Sequence, residues 1–234
     1  MPPSESSAAS DAAPPPTPRS APRRPSSLSP SRADDFMTCP LRYRLRVIDK
    51  LPEPPNEAAA RGAVVHAVLE RLFDVPAGQR TPGRARALLR PEWERLLSRR
   101  PELAGLFPED ADGASLAAWL AEAEQLLDRY FRMEDPNRLE PAGRELHVET
   151  VLESGLELRG IIDRVDVAPT GEIRVVDYKT GRAPPPDFEY RAMFQMKFYA
   201  LVLWRRRGVV PPPRPGGDQG SGGRVAFDPG LAVR

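Results

Sequence analysis

Apolar residues recur at three- and four-residue spacing in residues 57–73 (EAAARGAVVHAVLERLF). Val65, Val68, Leu69, Leu72 and Phe73 share one face there and predict an amphipathic helix that carries His66. Residues 84–99 and 115–133 read as two more helices. In the second, Leu116, Trp119, Leu120, Ala123, Leu127, Tyr130 and Phe131 form a single packing stripe. The period then changes to two. RELHVETVL (144–152), LELRGIIDRVDV (156–167) and EIRVVDYKT (172–180) read as successive strands, the last two joined by the turn Ala168-Pro169-Thr170-Gly171, which gives an antiparallel meander. Helical spacing returns over residues 187–206. Upstream, SLSPSRADDFMTCPLRYRLRVIDKL offers Ser29 as a helix N-cap before Pro30, with Phe36, Leu41, Tyr43 and Val47 as buried anchors. The pattern is that of an α/β (α+β) domain over residues 28–207. Residues 1–27 and 208–234 are Pro-rich, with Ser and Ala in the first stretch and Gly in the second. Neither sustains a period, so both are expected to be disordered tails, the second a candidate truncated C-terminus.

Composition narrows the class. The chain has 234 residues, 40% hydrophobic and 29% charged, enough for one sizeable core. Its single Cys, Cys39, allows neither an intrachain disulfide nor a cysteine-only metal site, which fits a reducing cytoplasm. There is no apolar run near membrane-spanning length and no signal-peptide core, so a soluble cytoplasmic protein with no membrane partner is expected. Basic (34) and acidic (33) residues nearly cancel, so nucleic acid would have to be drawn by a local patch. Arg84, Arg86, Arg90, Arg99, Arg100 and Arg205, Arg206, Arg207 are candidates for one. Lys occurs only at positions 50, 179 and 197 in a chain that otherwise uses Arg, which draws attention to those three.

One of them lies beside acid. Alternate residues of a strand share a face, so Asp177 and Lys179 of RVVDYK point the same way as Val175. Closing the turn with Val167 or Ala168 opposite Glu172 places Asp163 opposite, or nearly opposite, Asp177. Carboxylates about 5 Å apart repel by roughly 3 kcal/mol at an effective dielectric near 20, so such a pair must share a proton, find a cation or face water. A divalent metal answers this economically, and oxygen ligands without Cys favour Mg²⁺ or Mn²⁺. Such an ion serves phosphodiester hydrolysis, and Lys179 beside it could orient or help deprotonate the attacking water. His66 would add a ligand from its helix, with Glu70 one turn later on the same face; Gln195 and Tyr199 are likewise four apart on one face of the last helix. His147 has no evident partner and reads as structural.

The order of these pieces resembles the nuclease domain of RecB-family exonucleases, within the PD-(D/E)XK superfamily. SPSRADDFMTCPLRYRLRVIDKL is similar to the opening segment of that family and RGAVVHAVLE to its helix with the ligand His. GIIDRVD and VVDYKTG match its two active-site strands, and QMKFYA its Gln-x-x-x-Tyr helix. The resemblance implies a restriction-endonuclease-like mixed sheet flanked by helices. It implies that His66, Asp163, Asp177 and the main-chain carbonyl of Tyr178 bind Mg²⁺ or Mn²⁺, that Lys179 acts on the nucleophilic water, and that Gln195 and Tyr199 complete the catalytic site. It further implies a metal-dependent DNA exonuclease of repair or recombination, with DNA as partner and a helicase or repair complex as a further one. Asp177 stands where the superfamily often has Glu, a variant shared by RecB-like members. Many relatives continue into a segment with three Cys that joins an early Cys, in the place of Cys39, in an iron–sulfur cluster; with one Cys, no cluster is expected within this chain. A reading from another class is a non-catalytic nucleic-acid-binding or scaffold subunit that keeps the site in sequence only.

Overall fold

One long strand organises the architecture. In the computed structural model, which describes residues 27–107, 113–181, 189–207, 225–227 and 231–233, β1 is Ser27–Leu28, β2 Gly143–Val151, β3 Glu157–Val167 and β4 Ile173–Val176. β3 pairs antiparallel with β2 along one edge. On its other edge its first residues pair parallel with β1 and its last residues antiparallel with β4. The sheet is therefore mixed, with the meander at its centre.

Turn chemistry sets both registers. Gly155, at φ 79°, donates to the Leu152 carbonyl, and the Leu152 amide donates to the Leu156 carbonyl to close β2 on β3. Between β3 and β4, Gly171 at φ 94° donates to Ala168, with Pro169 at the second turn position and the Ala168 amide bound to Glu172. Pro and Gly at those places are what a type I turn followed by a left-handed residue requires.

Helices cover the sheet on two sides. α3 (Glu57–Leu72), α4 (Pro82–Arg99) and α5 (Ala114–Met133) bury Val65, Val68, Leu69, Leu72, Leu89, Trp93, Trp119 and Leu127 against Val176 and Tyr178. α6 (Glu189–Arg207) packs Met196, Phe198, Val202 and Leu203 on Val148, Leu158, Ile162, Val165, Ile173 and Val175. β4 thus sends alternate residues into two cores, as a strand covered on both faces must. Caps fix the helix starts: Asn56 accepts from the Ala59 amide, and Thr81, ahead of Pro82, accepts from that of Arg84.

Three expectations need correction. In the N-terminal segment α1 (Pro30–Thr38) is capped by Ser29 as expected, followed by α2 (Pro40–Tyr43) and a π turn over Arg44–Ile48. Of its four expected anchors only Tyr43 is buried; Val47 is half-buried, while Phe36 and Leu41 are 54% and 61% exposed. α1 turns Pro30 and Ala33 inward, and the Phe36 ring stacks edge-on against Tyr43 instead of entering a core. The strand expected to reach residue 180 ends at Val176, for reasons that belong to the site below. Finally, Ser27 is a strand residue, and within the expected C-terminal tail β5 (Val225–Phe227) and β6 (Leu231–Val233) form an antiparallel pair. The remainder of both expected tails lies outside the described residues. No described helix is long and apolar enough to cross a membrane.

Candidate active site and metal centre

The two registers align three acids. Arg164 pairs with Val176 and Val165 with Val175, which sets Asp163 opposite Asp177 at the end of β4. On the other side Arg144 pairs with Arg164 and Leu146 with Ile162, which brackets Glu145 against Asp163. Glu145, Asp163 and Asp177 therefore stand in one row across three adjacent strands, at the strand spacing of about 4.8 Å. Sequence reasoning found two of them and missed Glu145. A signal existed: closing β2 on β3 between Leu152 and Leu156 and counting back gives Glu145 opposite Asp163. Glu145 also holds φ 42°, a left-handed backbone that costs a non-glycine residue about 1–3 kcal/mol and that clusters at functional sites.

α3 brings His66 over this row. The close approach begins one turn earlier at Gly62, where a Cβ would lie 3.0 Å from Thr180 Oγ1, so a larger residue would push the helix off the strand end. His66 Nε2 lies 2.8 Å from the carbonyl oxygen of Tyr178, and Nδ1 3.4 Å from Asp163 Oδ1. The Tyr178 amide donates to Asp163 Oδ2 at 2.5 Å. Both backbone groups of Tyr178 are thus taken by side chains rather than by a neighbouring strand, which is why β4 stops at Val176. Ligand atoms of His66, Glu145 and Asp163 all come within 4.8 Å of one another.

Beyond Asp177 the chain continues to Lys179, and α6 supplies the clamp. Lys179 Nζ is 2.6 Å from Asp177 Oδ2 and donates to Gln195 Oε1 at 2.8 Å. The Gln195 amide donates to Asp177 Oδ1 at 2.9 Å and lies 3.3 Å from the Tyr199 hydroxyl, which donates to the Ile161 carbonyl at 2.6 Å. Gly160 makes this possible, since a Cβ there would sit 2.7 Å from Tyr199 Cε1. His66, Asp163, Asp177, Tyr178, Lys179, Gln195 and Tyr199 are therefore brought together. Glu70 stands apart from the ring of contacts: its carbonyl accepts from Arg144, and its charge helps raise the pKa of Glu145. His147 is exposed.

The electrostatics reflect crowded acid. Burial, then the Asp163 charge, push Asp177 above the ordinary carboxylate range against the pull of Lys179 and His66. Glu145 is raised by burial and by Asp163 as well. Burial works to lower the pKa of His66, but the hydrogen bond and charge of Asp163, with Asp177 behind it, more than offset it and raise it. Such perturbed groups in one place mark a candidate functional site.

The expected basic patch is partly spent. Arg86 pairs with Asp128 at 2.6 Å and Arg100 with Glu102 at 2.9 Å, while Arg205 and Arg206 reach carbonyls of β2, at Val151 and His147. Cys39 is half-buried between α1 and α2.

A family model described as the PD-(D/E)XK nuclease superfamily matches residues 27–228. The chain belongs to that superfamily. PD-(D/E)XK nucleases use divalent metals, and their restriction-endonuclease-like fold is the mixed sheet flanked by helices described above. The match starts where β1 starts and runs past α6, beyond the 28–207 span read from sequence, to take in β5. The Gene 69 protein of Mycobacterium phage D29 is 28% identical over 209 residues, which cover 79% of this chain and 71% of that protein.

Proposed function

We propose that this PD-(D/E)XK protein is a Mg²⁺- or Mn²⁺-dependent deoxyribonuclease, an exonuclease acting in DNA repair or recombination. The observation that carries the reading is the row Glu145, Asp163 and Asp177, flanked by His66 and by Lys179. Carboxylate oxygens, one imidazole and a peptide carbonyl form a donor set that suits a hard divalent cation. His66, Asp163, Asp177 and the Tyr178 carbonyl would hold it. The ligand atoms that already lie within 4.8 Å of one another are those of His66, Asp163 and Glu145, so Glu145 would join them, and Asp177, held by Lys179 and Gln195, would reach the ion from the far end of the row. A divalent ion bound there supplies Lewis-acid polarisation of a phosphodiester and lowers the pKa of a bound water.

The chain's own groups do the rest. Lys179 places an ammonium where negative charge develops as the water oxygen bonds to phosphorus and the sugar oxygen leaves with a proton. Gln195 binds the ammonium through its carbonyl and Asp177 through its amide, so cation and acid keep a fixed separation. Tyr199 ties Gln195 to the Ile161 carbonyl and so to β3. The similarity of GIIDRVD and DYKTG to RecB-family exonucleases supports end-directed action and a helicase or repair-complex partner; residues 28–207 would form the catalytic unit. The test compares end-labelled linear DNA with covalently closed circular DNA, single- and double-stranded, with Mg²⁺ or Mn²⁺. Wild type should degrade only the linear forms and Asp177→Ala neither. Equal degradation by both proteins refutes the assignment, and cutting of circles refutes the exonuclease part.

A further inference from the structure

Arg164 follows Asp163 on β3 and is wholly buried, a charged side chain that the proposed chemistry does not use. Its guanidinium grips Glu134, at the end of α5, with both ends: NH1 to Oε1 at 2.6 Å and NH2 to Oε2 at 2.8 Å. NH2 also donates to Asp166 at 3.2 Å, and Arg174 closes the group onto Glu134 at 3.0 Å. Two cations and two anions balance there, as burial requires. Two further contacts leave this group. Arg164 NH1 donates to the Tyr178 hydroxyl at 3.0 Å and lies at a longer 3.5 Å from that of Tyr130, with its guanidinium carbon 5.8 Å from the centre of the Tyr178 ring.

Tyr178 is the residue whose amide binds Asp163 and whose carbonyl faces His66. Its ring is buried, edge-on to those of His66 and Tyr130 at 5.8 and 5.9 Å. Tyr178 is thus held at its amide, at its carbonyl and at its hydroxyl, so both peptide planes that flank its Cα and the side chain between them are tied. We propose that Arg164 is a positioning residue: by holding the Tyr178 hydroxyl from the Glu134 end of α5, it fixes the direction in which the Tyr178 carbonyl is presented to the divalent cation. The inference rests on the reading of His66, Asp163 and that carbonyl as metal ligands. Groups that orient ligands from behind typically tune metal affinity by about 10–100-fold. Only the planar fork of Arg reaches the carboxylate and the phenol together, so Lys cannot replace it.

Mn²⁺ binding, read from loss of the free-ion electron paramagnetic resonance signal, tests this without turnover. Tyr178→Phe removes the link and leaves the charge group whole, so the protein folds, with an EDTA unfolding midpoint within about 2–4 °C of wild type. Its Mn²⁺ affinity should fall about tenfold. Arg164→Lys should also weaken binding, and in the Tyr178→Phe background it should add little further loss. Tight wild-type binding that Asp163→Ala abolishes and Tyr178→Phe leaves unchanged overturns the inference and keeps the metal site. Fully additive losses in the double variant overturn it too. Wild type without stoichiometric Mn²⁺ binding overturns the metal reading and this inference with it.

Discussion

Replacing Glu145 by Gln should make the protein more stable without metal and less able to gain stability from it. Glu145 and Asp163 offer oxygens within 4.8 Å of each other. At an effective dielectric near 20, two full charges at that distance repel by about 3.5 kcal/mol. Glu145 is only half-buried and its raised pKa already relieves part of the strain, so solvent screening leaves about 1 kcal/mol for an amide to recover. Gln keeps the size and tolerates the same backbone. For a chain of this length 1 kcal/mol moves the unfolding midpoint by about 2–4 °C. In EDTA, Glu145→Gln should therefore melt a few degrees above wild type. A ligand that binds the native state stabilises by about 2.7 kcal/mol at one hundred times its dissociation constant, so a variant with weaker affinity gains less. In millimolar Mn²⁺ the order should narrow or reverse. Differential scanning fluorimetry at both conditions is the assay. A variant that melts below wild type in EDTA and shows the full Mn²⁺ shift would refute the placement of Glu145 in the cation site.

Other expectations concern the clamp, the packing and the acid response. Lys179→Met should lower kcat by about a hundredfold or more, the scale of losing one preorganised charge-stabilising group, while Mn²⁺ affinity is kept or improved because the cation beside Asp177 is gone; quench-flow with radiolabelled DNA and an Mn²⁺ titration check the two halves. Gly160→Ala should cost about 1–3 kcal/mol in urea unfolding, since its Cβ meets the Tyr199 ring at 2.7 Å, and adding Tyr199→Leu should recover part of it. Burial works to raise the pKa of Glu134, yet Arg164 and Arg174 hold it below the ordinary value. A depressed folded pKa contributes stability above the unfolded value of about 4.5 and loses it as pH falls through the folded one. Glu134→Gln should therefore flatten the fall of stability below about pH 5 in acid titrations followed by circular dichroism.

Much of the site could be read from sequence because turns and periods fix registers. Ala168-Pro169-Thr170-Gly171 is tight enough that Asp163 and Asp177 follow by counting, and Gln195 and Tyr199 meet by helical spacing alone. Glu145 was within reach of the same counting across Glu153-Ser154-Gly155. What could not be read depends on partners distant in sequence. β4 ends early because Asp163 and His66 capture the backbone of Tyr178, a competition that propensity does not encode. Nothing in IIDRVDV marks Arg164 as buried; Glu134, thirty residues upstream, supplies the two-pronged carboxylate that its burial requires, with Asp166 beside it. Phe36 and Leu41 look like anchors in a helical pattern, yet α1 spends its inward face on Pro30 and Ala33.

The proposed metal centre draws its groups from α3, β3 and the end of β4 onto one divalent cation. Mn²⁺ anomalous scattering from crystals soaked in the ion tests it most directly. One strong peak is expected, with His66, Asp163, Asp177 and the Tyr178 carbonyl at ligand distances of about 2.0–2.3 Å. Crystals of protein that cleaves DNA under the same Mn²⁺ concentration, with no peak between those groups, would contradict it.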